Sequence, residues 1–89
     1  MIETARIDLS AGGERIAWTP AGFRGFTPRG RRLAERLGEI VRPEDRPAWQ
    51  PSLTRWVYAS LRELPELEIE IERVRFGADD GGTPEGAVP

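Results

Sequence analysis

The chain has 89 residues, a net charge of −2, and neither cysteine nor histidine; its 13 basic residues are all arginine. This is the size of one small domain, and the missing side chains exclude disulfides, zinc–thiolate sites, thiolate nucleophiles, Schiff-base lysines and the commonest general base. No apolar run approaches the ~20 residues of a membrane-spanning helix, and "MIETARID" lacks the pattern of a secretory signal, so the expected location is the cytoplasm. An all-arginine basic set suits phosphate recognition, but it also follows from a GC-rich coding sequence, and the net negative charge argues against general polyanion binding.

The segment "ARIDLSAGGERIAWT" predicts a β-hairpin. Apolar residues alternate with charged ones on both sides of Gly12-Gly13, and paired glycines supply the positive φ angles of a two-residue loop. With that loop, Leu9 faces Ile16 and Ile7 faces Trp18, all four on one face. Arg6, Asp8 and Arg15 fall on the other. A one-residue slip breaks this agreement.

"PAGFRGFTPRG", from Pro20 to Gly30, reads as a loop, with Phe23 and Phe26 expected to pin it to the core. Thr27 and Pro28 then form a helix start, as N-cap and first helical residue. Leu33, Ala34, Leu37, Ile40 and Val41 make its apolar stripe, and the helix should stop before Pro43. "RPEDRPAWQP" is a second loop, with Trp49 as its expected anchor. Ser52 caps a second helix whose stripe is Leu53, Trp56, Val57, Ser60, Leu61 and Leu64. Leu37 and Trp56 stand at the centres of the two stripes and are the expected core residues. Tyr58 falls opposite its stripe.

"ELEIEIERVRF", from Glu66 to Phe76, would set like charges at i, i+4 in a helix, so its period of two predicts a strand. Its apolar parity changes between Ile71 and Val74, which a bulge near Glu72 or Arg73 would correct. The predicted fold is α+β in two layers: a small antiparallel or mixed sheet, made of the hairpin and the C-terminal strand, with two helices on one face in the order ββααβ. Residues 1–77 form the domain, and 78–89 read as a flexible acidic, Gly/Pro-rich tail.

Chemistry is sparse. Ser10, Ser52 and Ser60 have no evident base, and paired carboxylates need a deep cleft that so short a chain seldom builds. Asp79-Asp80-Gly81-Gly82 lacks the ligand spacing of a calcium loop, and the glycines of "RGFTPRG" match no phosphate loop or dinucleotide motif. No catalytic residue, metal, cofactor, small-molecule substrate or membrane contact is therefore expected, and the chain does not read as an enzyme.

Charge is segregated instead. Arg24, Arg29, Arg31, Arg32 and Arg36 stand against Glu35 alone, a net of +4. Arg29, Arg31 and Arg32 occupy a first helical turn, where the helix dipole favours anions. From Arg62 to Asp80, three arginines stand against seven acids, a net of −4. If Glu66, Glu68, Glu70 and Glu72 share the outer sheet face with Arg6, Asp8 and Arg15, that face carries −3. The expected function is a non-enzymatic protein-interaction module, a structural or accessory subunit. It would self-associate with the arginine cluster of one copy on the glutamate ladder of another, a heterologous contact. The alternatives are a nucleic-acid-binding domain using the Arg/Phe-rich segment 23–36, and an inhibitor or regulator of another protein.

Overall fold

The computed structural model describes residues 5–77; the segment 78–89, read above as a tail, lies outside the described residues. The elements are β1 (Arg6–Ala11), β2 (Glu14–Thr19), β3 (Gly22–Gly25), α1 (Pro28–Ile40), α2 (Leu53–Leu61) and β4 (Ile69–Arg75), with single 3-10 turns at Pro43–Asp45 and Pro65–Leu67. One antiparallel sheet runs in the order β3-β2-β1-β4. Both helices lie on one face, so the fold is the expected two-layer α+β arrangement with one strand added.

The hairpin has the predicted register, Ile7 opposite Trp18 and Leu9 opposite Ile16. Gly12 and Gly13 take φ of +56° and +85°, the pair of positive angles such a loop requires. The bulge is present too. Leu9 faces Ile71 and Ile7 faces Val74, so Glu72 and Arg73 together oppose Asp8. The extra residue returns Val74 to the helix side after the change of parity.

The added strand is β3. Gly22–Gly25 pairs with β2 from Thr19 to Ile16, although two of its four residues are glycine. It is held by what it packs on. Phe23 lies opposite Trp18 and packs against the core. Gly25 lies where α1 crosses: a Cβ there would sit 2.2 Å from the Gly30 carbonyl carbon.

Both helix starts follow local chemistry. Thr27 Oγ1 accepts from the Gly30 N–H and Ser52 Oγ from the Arg55 N–H, with Pro28 at the first position of α1, which satisfies donors the helix cannot. The core is Ala5, Ile7, Leu9, Ala11, Ile16, Trp18, Ala34, Leu37, Val41, Val57 and Leu61.

Four aromatic expectations change. Trp49 is 77% exposed. Its loop is held instead by the Arg46 guanidinium on the Gln50 carbonyl and by the Ser52 N–H on Gln50 Oε1, so no ring is needed to pin it. Phe26 is exposed on the sheet side away from the helices, one residue beyond β3. Trp56 is half-buried at the rim of the core rather than at its centre, which is Leu37 and Val57. Tyr58, placed opposite the apolar stripe by its spacing, also packs half-buried against the core, with Arg62 above its ring.

Candidate interaction site: the open sheet face and the β4 edge

Register decides what the outer face of the sheet carries. With Ile7, Leu9, Ile16, Trp18 and Val74 turned to the helices, Arg6, Asp8, Arg15, Arg24, Glu70, Arg73 and Arg75 turn away, and Glu72 joins them at the bulge. Five arginines then oppose three carboxylates. The face is +2, not the −3 expected from sequence. Arg24 is there because β3 is a strand, and Arg73 and Arg75 because the bulge shifts their parity.

One ion pair is made on this face among the described residues, Arg6 Nε to Asp8 Oδ1 at 2.8 Å. Among the described residues no carboxylate lies in salt-bridge range of Arg15, Arg24, Arg73 or Arg75. Arg6, Asp8, Arg15, Phe26, Glu72 and Arg73 line an open depression of about 650 Å³. Away from it, the Asp45 carboxylate, hydrogen-bonded to the guanidinium and seconded by Glu44, raises the Arg42 pKa above its ordinary value.

The arginine cluster is not one patch. Arg24 and Arg31 border a groove between β3 and α1. Arg29 reaches the hairpin tip, its Nη2 4.0 Å from a Cβ position on Gly12. Arg32 and Arg36 are exposed on α1, off its buried Gly30–Ala34–Leu37 stripe. The acid that the start of α1 favours comes from the chain itself: Thr27 Oγ1 donates to Glu14 Oε1 at 2.7 Å, placing a carboxylate at the helix N-terminus.

The glutamate ladder is also divided. Pro65 opens a 3-10 turn that takes Glu66, and Glu68 adopts a left-handed φ of +50° ahead of the strand. Only Glu70 and Glu72 remain on β4.

Among the described residues β4 is an outer strand with β1 as its one strand neighbour. A two-residue loop is closed by a hydrogen-bonded pair, here Ala11 and Glu14. By alternation, Arg6, Asp8 and Ser10 aim their backbone groups at β4, as Gly12 does in donating to the Glu68 carbonyl at 3.3 Å. The core-side residues Ile69, Ile71 and Val74 therefore aim their N–H and C=O groups at the open edge. Their side chains are half-buried, while Ile7 and Leu9 beside them are 0% exposed. Phe76, just past the strand, is 40% exposed beneath the Arg55 guanidinium, 5.0 Å from its ring centroid.

Compared with protein families, curated proteins and solved structures, the chain matches none.

Among the described residues, no group of three or more acids could hold a metal, and no helix is long and apolar enough to cross a membrane. The described residues present an arginine-rich sheet face and, along β4, a strand edge beside half-covered apolar side chains.

Proposed function

We propose that this protein is a non-enzymatic interaction module, a small structural or accessory subunit that self-associates through opposed acidic and basic surfaces. The observation that carries this reading is the β4 side of the domain. Ile69, Ile71 and Val74 stay half-buried beside an edge that no strand occupies among the described residues. Unpaired edges invite pairing with another chain, and a domain of this size gains from association. The acidic surface is narrowed to Glu70 and Glu72. Light scattering across a range of concentrations, at low and at high salt, tests the reading. The expected result is a concentration-dependent mass that falls as salt screens the charged contact, and a single-chain mass at every concentration would overturn it.

A second reading draws on the +2 sheet face. Arg15 and Arg24 flank the half-exposed ring of Phe26 there, a pairing that can neutralise phosphates and stack a base. It expects single-stranded oligonucleotides to shift at low salt and release as salt rises. Failure to shift at low salt would remove it.

A further inference from the structure

We propose that β4 pairs antiparallel with β4 of a second copy, about a twofold axis between Glu72 and Arg73, joining the two sheets into one of eight strands. This rests on the self-association reading and names its partner, register and symmetry.

The strand spells Glu70-Ile71-Glu72-Arg73-Val74-Arg75. Read backwards it is Arg-Val-Arg-Glu-Ile-Glu: every acid becomes a base and each apolar residue stays apolar. Laid antiparallel on itself, β4 sets Glu70 against Arg75 of the second copy, Glu72 against Arg73, and Ile71 against Val74. Each contact occurs twice, as a twofold axis demands. Four opposite-charge pairs form on the outer face, and the apolar pairs meet on the helix side. Ile69 comes opposite Phe76 of the second copy.

The bulge is what permits this symmetry. In a regular strand, backbone direction and side-chain face alternate together, so residues of opposite parity cannot pair about a twofold axis. Here Ile71 and Val74 have opposite parity yet share a face, because Glu72 and Arg73 together oppose Asp8. Both aim their backbone groups at the open edge. They thus form the hydrogen-bonded pairs, and the charged residues fall in the non-hydrogen-bonded positions, where opposite side chains approach most closely.

The single chain leaves these charges poorly served. Arg75 lies opposite Arg6, a like charge, and Glu70 lies opposite Ser10. Arg73 lies opposite Asp8, whose carboxylate already holds Arg6. The other edge strand is a poorer candidate: β3 has four residues, glycine at both ends, and the short form that blunts an edge.

Two variants with opposite charge test the pairing. Glu70→Arg with Glu72→Arg makes the strand uniformly basic, and Arg73→Glu with Arg75→Glu makes it uniformly acidic. Each alone replaces four attractive pairs by four repulsive ones, and dimerisation measured by sedimentation should weaken at least about tenfold. Mixed in equal amounts, the two restore every pair and should form a heterodimer, which also shows that both are folded. A wild-type chain that stays monomeric overturns the self-association reading and this proposal with it. A wild-type dimer whose two variants still self-associate undiminished, or fail to associate when mixed, overturns this pairing alone. So does loss of association in the Glu70→Arg/Glu72→Arg variant only, which is the result for a heterologous contact with the α1 arginines.

Discussion

Gly25→Ala is expected to destabilise the domain by about 3 kcal/mol, at the upper end of what overpacking usually costs. A Cβ at this position would lie 2.2 Å from the carbonyl carbon of Gly30, 2.3 Å from its oxygen and 2.4 Å from the nitrogen of Arg31. All three are main-chain atoms at the start of α1, so no rotamer change makes room. The helix start must move off β3, and with it the Thr27 cap and its bond to Glu14. A domain this small has roughly 5–10 kcal/mol in total, and at about 4–8 °C per kcal/mol the thermal midpoint should fall by roughly 12–24 °C. An unchanged midpoint would mean that α1 and β3 do not approach this closely in solution.

Leu37→Ala should cost about 2–5 kcal/mol. Leu37 is 0% exposed and lies on α1 in line with Ala34 and Val41, facing the sheet core. Truncation leaves a cavity bounded by packed neighbours, and the loss of dispersion contacts adds to the transfer term. Urea unfolding at low protein concentration measures the change, and Trp56→Ala is the control. The indole is the larger group, but it sits half-buried at the rim, so its removal should cost less than that of Leu37. The reverse order would place Trp56 at the centre of the helix layer.

The hairpin, both helix caps and the bulge were legible because each is specified by adjacent residues. Gly12-Gly13 sets a loop, Thr27-Pro28 and Ser52 set starts, and the change of parity between Ile71 and Val74 leaves one way to keep an apolar face. β3 was hidden because nothing local favours a strand in Gly22–Gly25. Its conformation comes from Trp18 under Phe23 and from a helix that only glycine lets close, and packing of this kind overrides propensity. The sign of the sheet face was misread for the same reason. Without β3, Arg24 is left in a loop, and without following the bulge to its end, Arg73 and Arg75 are not counted. The full glutamate ladder failed on Pro65, whose fixed φ suits a turn, and on Glu68, which turns left-handed before the strand begins. That Trp49 stands in water could not be seen in its flanking prolines, because the hydrogen bonds from Arg46 and Ser52 that hold the loop are not visible as a pattern.

The pairing of β4 with β1 also orders events during synthesis. β1 ends at Ala11, while its second neighbour begins only at Ile69. A growing chain can close the local hairpin, add β3 and wind α1 as each emerges from the ribosome. The outward-aimed backbone of Arg6, Asp8 and Ser10 must nonetheless wait, solvated, for the last strand. Bringing β4 back to β1 closes the longest loop in the domain, the step that penalises folding rate most. Translation thus leaves each nascent chain with an unoccupied central strand until Arg75 is free. On crowded polysomes that strand could capture the β4 of a neighbour instead of its own, giving a swapped pair.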